Sequence, residues 1–342
     1  MTLNMLVFEY REVEKNFFGT NKFDNFNIKF YTDTLTPETV ENFPEDILEN
    51  TNVISVFINS VINEKVINAF KNLRIISTRS TGYDHIDLNA CQNKNIAVIN
   101  VENYGETSVA QYTFGLIIML VRKIYAAAIS VKNCENTNMN FNGRDISKLT
   151  IGVIGTGAIG AAVCRLAKCF GMNILASDIN PKRELEELSG FKYVNLEELL
   201  KKSDIVTIHV PYTGHNYHMI SQNQFELMKE SACIINTSRG ELINLQALYD
   251  RIKNGKLAGA ALDVLMCESI SFNCKKFAEN INQESLKCYN EVKTVEKLNK
   301  YHNVIITPHI AYDTLDSVNY ILEVTMRSIK EVLYGGKASG II

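Results

Sequence analysis

The sequence lacks a long apolar run, a strong excess of charge of either sign and an apolar leader segment. Its longest apolar stretch, residues 116–121, ends at Arg122 and is far too short to cross a membrane. A net charge of −3 over 342 residues offers no broad attraction for nucleic acid or an anionic membrane. Charges such as Glu9 and Arg11 interrupt the segment where a signal peptide needs an apolar core. These absences predict a cytoplasmic protein with no nucleic-acid partner and no membrane partner.

The cysteines show neither a Cys-x-x-Cys pair nor a spacing with histidine that is typical of a metal site. Several of them, such as Cys164 and Cys233, fall within apolar strand or helix patterns. Because buried thiols behave as small apolar side chains, we expect reduced cysteines rather than a disulfide framework, and no metal site. The eight cysteines are Cys91, Cys134, Cys164, Cys169, Cys233, Cys267, Cys274 and Cys288.

The most informative motif that the chain contains is a glycine-rich stretch, residues 151–160. It predicts a buried strand, a tight turn and a helix that continues to residue 170 with apolar positions at helical spacing. In such a unit Gly155 permits the turn, Gly157 leaves room for a pyrophosphate, and Gly160 lets the helix pack closely on the strand. The open N–H groups and positive dipole end of the helix attract the anion. The stretch therefore predicts a nucleotide-binding site.

An acidic residue ends the next predicted strand, residues 173–178. Asp178 lies where a carboxylate accepts hydrogen bonds from the adenosine ribose hydroxyls and repels a 2′-phosphate. A glycine turn alone could be merely structural, but here strand, turn, helix, second strand and acid agree. The predicted cofactor is therefore NAD rather than NADP.

Strand patterns alternate with helices on both sides of a long apolar helix predicted over residues 107–131. This alternation is typical of α/β proteins with parallel sheets. Five strands precede the long helix and form a sheet of their own, whereas six strands follow it in a doubly wound sheet that contains the glycine turn. The predicted strands cover residues 5–10, 27–31, 54–58, 74–78, 96–100, 151–154, 173–178, 205–210, 232–236, 258–263 and 304–307.

Two further segments bear on the domain organisation. A closing helix, residues 314–333, is expected to return to the first domain, which would make that domain discontinuous. The run 269–300 is polar and weakly periodic, so we expect a solvated insertion with one or two short helices.

Three charged or titratable residues, Arg239, Glu268 and His309, each lie a few residues after a predicted strand in the second half of the second sheet. Ligands of open parallel sheets bind beyond the carboxyl ends of the strands. A guanidinium can hold a substrate carboxylate through two parallel hydrogen bonds, and an imidazolium can give a proton to a carbonyl oxygen as hydride arrives on carbon. A carboxylate that contacts the imidazole would raise its pKa and keep it charged. The set suits hydride transfer to and from a carbonyl.

Each of these residues also has a plainer interpretation. An arginine after a strand is often a surface ion-pair partner, a loop glutamate is usually solvated, and a single histidine is more often structural than catalytic. The other histidines lack the combination of strand-end position with Glu and Arg partners. One of them, His209, lies in an apolar strand pattern and is expected to be packed or close to the cofactor.

Taken in order, these motifs resemble the D-isomer-specific 2-hydroxyacid dehydrogenase family, most closely its D-lactate dehydrogenase branch, over nearly the whole chain. The resemblance is carried by residues 79–87, 155–160, 209–211, 236–240, 261–264 with Glu268, and 307–311. It implies an NAD-binding Rossmann domain, residues 104–311, and a discontinuous flavodoxin-like α/β substrate domain, residues 1–103 and 312–342. It also implies an active site in the cleft between the domains, usually in a homodimer.

The resemblance further implies roles for individual residues. Arg239 would bind the substrate carboxylate, Glu268 would tune the histidine, and His309 would be the acid/base. The remaining substrate residues implied are Thr81, Gly82 and Tyr104, the first two acting through backbone N–H groups. The cofactor residues implied are Gly155, Gly157, Ala158, Ile159, Gly160, Asp178, Val210, Pro211, Asn216, Thr237, Ser238 and Asp263.

The sequence departs from the D-lactate branch in ways that bear on the substrate pocket. Tyr312 is followed by Asp313 rather than by a second aromatic residue, residues 103–106 differ from the commoner Tyr-Ser-Pro, and the 269–300 insertion is long. The implied reaction interconverts a small 2-oxo acid and its D-2-hydroxy acid, with pyruvate and D-lactate favoured. The alternatives are glyoxylate, hydroxypyruvate, a branched or aromatic 2-oxo acid and, in another functional class, an NAD(H)-sensing interaction protein.

Overall fold

A computed structural model describes residues 2–21, 23–102, 104–134, 140–268 and 288–335. The chain divides into two compact units, one comprising Met1–Tyr104 and Asp313–Ile342 and the other Gly105–Tyr312. The strands are β1 Leu3–Val7, β2 Phe26–Phe30, β3 Thr51–Val56, β4 Ile75–Thr78, β5 Ala97–Ile99, β6 Thr150–Ile154, β7 Asn173–Ser177, β8 Lys192–Tyr193, β9 Ile205–Ile208, β10 Cys233–Asn236, β11 Gly259–Leu262 and β12 Val304–Ile306.

The helices are α1 Lys15–Thr20, α2 Glu45–Asn50, α3 Glu64–Ala69, α4 Leu88–Asn93, α5 Glu106–Val121, α6 Ile124–Lys132, α7 Ala158–Cys169, α8 Arg183–Ser189, α9 Leu196–Lys202, α10 Gln222–Leu227, α11 Leu245–Lys253, α12 Tyr289–Leu298 and α13 Leu315–Leu333.

The first unit contains a five-stranded parallel sheet in the order β2-β1-β3-β4-β5. This is the strand order of flavodoxin-like doubly wound sheets. Helices cover both faces, so the inner strands are apolar on both sides. One face packs against Val66 of α3 and Ala90 of α4, and the other packs against Met326 and Ile329 of α13. Helix α13, the last described helix, therefore covers one face of the sheet that contains the first strand of the chain.

The second unit contains a seven-stranded sheet in the order β12-β11-β10-β9-β6-β7-β8, and every neighbouring pair is parallel. The carboxyl ends of all its strands therefore lie along one edge. The predicted α/β class with a doubly wound sheet is confirmed. The seventh strand, β8, was not predicted because two residues are too few to show a strand pattern.

The long helix predicted over residues 107–131 is wrong in one respect, because it is two helices. Lys123 adopts a left-handed backbone conformation, φ 55°, between α5 and α6. Among the described residues, no single helix combines the length and the apolar composition needed to cross a membrane. The pair α5 and α6 meets that test only together, by length and composition, with a bend of 68° at the break.

The prediction of a solvated insertion with one or two short helices over residues 269–300 is correct for a helix in the C-terminal part of that run and wrong for its exposure to solvent. Residues 269–287 lie outside the described part of the chain. Residues Tyr289–Leu298 form α12, which buries Val292, Val295 and Leu298. These apolar residues are spaced three apart, so they lie on one side of the helix. The pattern is short and lies among Lys and Glu residues, which favour an exposed segment.

The cysteine prediction also needs a correction, because Cys267 and Cys288 form a disulfide. The two are 21 positions apart, and no spacing rule marks such a pair in a chain with eight cysteines. The predicted burial of Cys164 and Cys233 as free thiols is confirmed. Burial raises the pKa of both thiols to about 12, which keeps them protonated. Cys274 lies outside the described residues.

Candidate active site

The glycine turn joins β6 to α7 at the carboxyl edge of the second sheet. Gly155 has φ +88°, and a Cβ there would lie 2.8 Å from the carbonyl oxygen of His209. A Cβ on Gly160 would overlap the carbonyl oxygen of Gly155, whereas Gly157 has open space around it. Each glycine thus has the environment that a pyrophosphate turn requires.

The N-terminus of α7 fits the phosphates of a dinucleotide. Gly157 is the N-cap residue and supplies no capping side chain. The N–H groups of the first turn, which include those of Ala158 and Ile159, therefore lack a side-chain cap and can donate to an anion. The residues present fit the cofactor predicted for this turn.

Asp178 follows β7 and lies beside the turn. Its Oδ2 accepts hydrogen bonds from Thr156 N at 2.6 Å and Thr156 Oγ1 at 2.9 Å, and its Oδ1 accepts one from Asn180 N at 2.8 Å. Partial burial acts to raise the pKa of this carboxyl, but the hydrogen bonds from Asn180 and Thr156 outweigh it and hold the pKa below its usual value. Asp178 is therefore anionic at neutral pH, as recognition of a ribose requires.

The loops after β9 and β10 are tied together next to the turn. Ser238 Oγ donates a hydrogen bond to the carbonyl oxygen of Val210, and Asn216 Nδ2 donates one to the carbonyl oxygen of Pro211 at 2.8 Å. Thr237 is buried, and its hydroxyl lies 3.1 Å from that of Thr113 on α5. These side chains give the loops a defined shape, and their contacts with a cofactor stay predictions.

Arg239, Glu268 and His309 follow three neighbouring strands, β10, β11 and β12, at the same edge. A Cβ on Gly240 would overlap the backbone of Leu265 and Met266, so the chain beside Arg239 lies directly against the loop that carries Glu268. The predicted strand-end placement of the three residues is observed, and all three are half-buried.

The side chains of His309 and Glu268 are in hydrogen-bond contact. His309 Nδ1 lies 2.7 Å from Glu268 Oε2, and each side chain is 21% exposed. The second carboxylate oxygen, Oε1, accepts a hydrogen bond from Leu265 N at 3.2 Å, which fixes the plane of the carboxylate. Because a carboxylate only accepts, Nδ1 carries a proton and Nε2 is the nitrogen left to exchange a proton with a substrate.

A buried carboxylate, Asp263, organises the loop that carries His309. Its oxygens accept hydrogen bonds from Thr307 Oγ1 at 2.6 Å, Ile310 N at 3.1 Å and Ala311 N at 2.8 Å. Its carbonyl oxygen accepts one from His309 N at 2.8 Å. Burial raises the pKa of Asp263 above its usual value, although the three donors act to lower it.

The sequence interpretation assigned Asp263 only to cofactor binding and missed this positioning role. The backbone of His309 is left-handed, φ +54°, which is uncommon outside glycine. Such a conformation persists where surrounding contacts hold it, and the contacts of Asp263 are of that kind. The run Thr-Pro-His at residues 307–309 contains no local pattern that would predict hydrogen bonds to Asp263, which follows the neighbouring strand β11.

The loop that carries Arg239 is shaped by Asn236, a second residue whose role the sequence interpretation missed. Asn236 Oδ1 accepts a hydrogen bond from Ser238 N at 3.0 Å, and Nδ2 donates one to the carbonyl oxygen of Arg239 at 2.8 Å. An asparagine that ends a strand before a polar loop is a recognised turn signal, so this role was within reach of the sequence. Arg239 Nη1 donates to the carbonyl oxygen of Ser238 at 2.8 Å.

In the first unit, the predicted substrate loop follows β4. Thr81 Oγ1 donates a hydrogen bond to Val101 O at 2.9 Å, and Ser80 Oγ donates one to Gly82 O at 2.6 Å. These bonds engage carbonyl groups and fix the course of the loop. Tyr104 is half-buried, and its carbonyl oxygen accepts a hydrogen bond from Ser317 Oγ at 3.1 Å.

His209 is a packed residue rather than an acid/base. Burial lowers its pKa to about 3, and its Nε2 lies 2.9 Å from Thr207 Oγ1. It is therefore neutral. Among the described residues, no group of three or more His, Cys, Asp or Glu side chains is arranged to hold a metal ion.

Comparison with known proteins places this geometry in context. Residues 114–311 match the model of the D-isomer specific 2-hydroxyacid dehydrogenase NAD binding domain. A Haemophilus influenzae 2-hydroxyacid dehydrogenase homolog is 34% identical over 320 residues, which cover 93% of this chain and 92% of the relative. A Clostridium sporogenes aromatic 2-oxoacid reductase is 33% identical over 318 residues, which cover 91% and 92%. The structure of Aquifex aeolicus D-lactate dehydrogenase with NAD and lactic acid has a TM-score of 0.84 and 35% identity, and covers 97% of this chain and 96% of its own.

Proposed function

The chain belongs to the D-isomer specific 2-hydroxyacid dehydrogenases, and from that premise we propose that it interconverts pyruvate and D-lactate with NADH and NAD. The family acts on small 2-oxo and 2-hydroxy acids, and NAD is its cofactor. The choice of pyruvate, the homodimer and the cytoplasmic location are part of the proposal.

The observation that carries the proposal is the pair of His309 and Glu268 at 2.7 Å on the carboxyl edge of the nucleotide-binding sheet. Glu268 accepts the Nδ1 proton of His309, which fixes the orientation of the ring and leaves Nε2 for the substrate. In pyruvate reduction, Nε2 of His309 gives its proton to the carbonyl oxygen, and in lactate oxidation the same nitrogen takes the proton back. NAD supplies the hydride chemistry, so no protein side chain needs to change its oxidation state.

In this proposal Arg239 binds the carboxylate of the substrate. Its planar guanidinium matches a carboxylate through two parallel hydrogen bonds, and the position of its loop beside residues 265–266 puts it in the neighbourhood of Glu268. The backbone N–H groups of Thr81 and Gly82 and the side chain of Tyr104 are the further substrate contacts proposed.

In this proposal the turn between β6 and α7 binds the cofactor. Gly155, Gly157 and Gly160 with the N–H groups of Ala158 and Ile159 would hold the pyrophosphate, and Asp178 the ribose. The loop residues Val210, Pro211, Asn216, Thr237, Ser238 and Asp263 are the other cofactor contacts proposed.

A larger substrate is the second candidate, because one relative is named an aromatic 2-oxoacid reductase. Two observations favour the small acid. The Aquifex aeolicus structure contains lactic acid and is slightly more similar in sequence. In the present chain, the ring of Tyr312 packs edge-on at 6.4 Å from the ring of His309, which fills volume beside the imidazole.

The test is a spectrophotometric assay of NADH oxidation with a panel of 2-oxo acids at matched concentrations. The panel contains pyruvate, glyoxylate, hydroxypyruvate, 2-oxoisocaproate and phenylpyruvate. We expect the highest kcat/KM with pyruvate and formation of the D isomer. A higher value with phenylpyruvate would replace the small-acid proposal by the aromatic one, and no turnover with any acid would favour an NAD(H)-sensing protein.

A further inference from the structure

A chain of hydrogen bonds behind Asp178 leads away from the cofactor turn to a tyrosine. Thr156 Oγ1 contacts Asp178 Oδ2 at 2.9 Å and the hydroxyl of Tyr193 at 2.8 Å. The backbone N–H of Lys182 lies 3.2 Å from the same tyrosine hydroxyl. Four residues from three segments are thus connected in series, since Asp178 and Lys182 lie in the same loop between β7 and α8.

The direction of every bond in this chain is determined by its two ends. Lys182 N–H can only donate, and the Asp178 carboxylate can only accept. Thr156 has a single hydroxyl proton, which goes to Asp178, so its oxygen must accept from Tyr193. The proton order is therefore Lys182 N–H to Tyr193 O–H to Thr156 O–H to Asp178, and bonds aligned in this way reinforce one another.

Burial and packing hold the chain in place. Thr156 is 2% exposed, so its hydroxyl cannot readily exchange these partners for water. Tyr193 pairs with Ala176 of β7 through the two-residue strand β8, and its ring packs edge-on against Phe191 at 5.1 Å. Its backbone N–H donates to Glu186 Oε1 at 3.1 Å. Strand β8, at the end of the sheet, therefore holds the hydroxyl of Tyr193 in contact with Thr156 of the cofactor turn.

We propose that Tyr193, acting through Thr156, is a positioning residue that sets the preference of this enzyme for NADH over NADPH. The inference rests on the proposed role of Asp178 at the adenosine ribose. Thr156 uses Oδ2 through two bonds, which leaves Oδ1, with its single backbone partner, for the ribose hydroxyls. A carboxylate held in this orientation receives a ribose diol and repels a 2′-phosphate. A carboxylate that is free to rotate would bind the ribose diol less tightly and would repel a 2′-phosphate less strongly.

The experiment measures dissociation constants of NADH and NADPH by calorimetry for Tyr193→Phe, Thr156→Val and Thr156→Ser. Loss of one hydrogen bond of this kind corresponds to a change of about three- to tenfold. We expect Tyr193→Phe to weaken NADH binding by that factor and to leave NADPH binding unchanged or slightly tighter, so the NADH/NADPH preference falls. Thr156→Val should have a larger effect because it removes the hydroxyl that contacts the carboxylate, and Thr156→Ser should restore the wild-type preference.

The matched control is Tyr334→Phe, which removes a tyrosine hydroxyl that contacts Asn25 Nδ2 in the first unit. It should leave both dissociation constants unchanged. An NADH/NADPH preference within twofold of wild type for Tyr193→Phe would overturn the proposal, whatever the result for Thr156→Val. If Tyr193→Phe does not fold, an unchanged preference in Thr156→Val overturns the proposal instead, and a lowered preference that Thr156→Ser does not share supports it.

An Asp178→Asn variant separates this inference from the function on which it rests. If Asp178→Asn lowers the NADH/NADPH preference and Tyr193→Phe does not, Asp178 holds the ribose without help from Tyr193. If Asp178→Asn leaves the preference unchanged, the assignment of Asp178 itself is wrong, and the positioning role is overturned with it.

Discussion

The two ends of the carboxyl edge of the second sheet are built in opposite ways. At the nucleotide end, residues 150–178 form one continuous strand, turn, helix and strand, and the groups offered to a ligand are chiefly backbone N–H groups and one carboxylate. At the acid/base end, Arg239, Glu268 and His309 come from three separate loops. The buried carboxylate of Asp263 ties two of those strand ends together.

Because the two ends are built differently, substitutions at each end should have different effects. A site made of backbone groups is altered by a change of shape, and such a change affects cofactor affinity. A site made of side chains is altered by a change of chemistry, and such a change affects turnover.

Replacement of His309 by Gln should produce the largest effect on turnover. The amide cannot give a proton to the carbonyl oxygen, and general acid catalysis contributes about 10²–10⁴-fold. We expect kcat for pyruvate reduction to fall by that factor while the NADH dissociation constant stays unchanged. Near-normal turnover would remove His309 from the mechanism, and a parallel loss of NADH binding would contradict the division between the two ends.

Replacement of Asp263 by Asn should reduce turnover and stability together. A carboxylate accepts from Thr307, Ile310 and Ala311, whereas an amide has only one accepting oxygen, so at least one buried donor loses its partner. We expect kcat to fall about 10- to 100-fold and the free energy of unfolding to fall by about 1–3 kcal/mol, measured by steady-state kinetics and urea unfolding. Asp250→Asn on the exposed side of α11 is the control and should change neither quantity.

Replacement of Gly160 by Ala tests the nucleotide end. The added Cβ would overlap the carbonyl oxygen of Gly155, and overpacking of this kind costs about 1–3 kcal/mol. The NADH dissociation constant should rise about ten- to a hundredfold, while kcat at saturating NADH changes little. Gly115→Ala on α5, where the added Cβ meets open space, is the matched control. A fall in kcat at saturating NADH would show that the two ends are not independent.

Replacement of Glu268 by Gln should lower turnover by a smaller factor. The carboxylate accepts from His309 Nδ1 with one oxygen and from Leu265 N with the other, whereas an amide has only one accepting oxygen, so one of the two contacts is lost. We expect kcat for pyruvate reduction to fall about three- to tenfold, measured by steady-state kinetics, while the NADH dissociation constant stays unchanged. A kcat equal to that of the wild type would exclude Glu268 from the positioning of His309.

The strand, turn, helix and strand at the nucleotide end could be predicted almost completely from the sequence, because they are neighbours in the chain. Gly155, Gly160 and Asp178 lie within one βαβ unit, where spacing along the sequence determines distance in space. The acid/base end could be predicted only as a set of strand-end residues. That set was correct for position because parallel strands present their carboxyl ends at one edge.

The errors have different physical origins. The predicted long helix ends early because one residue, Lys123, adopts a left-handed conformation. The burial of α12 depends on packing against other parts of the fold, which three apolar residues among charged ones indicate only weakly. The disulfide joins Cys267 and Cys288 across 21 positions, and no local pattern marks that pair.

Periodicity and short, contiguous motifs were enough to predict the α/β class, the glycine turn and the strand-end positions of three charged residues. The contacts of Glu268 with His309, of Asp263 with the His309 loop and of Tyr193 with Thr156 appear only in the folded chain. Each of these contacts joins residues that are far apart along the chain. Their distances depend on how strands and loops pack, and a linear pattern of residue types contains no measure of that packing.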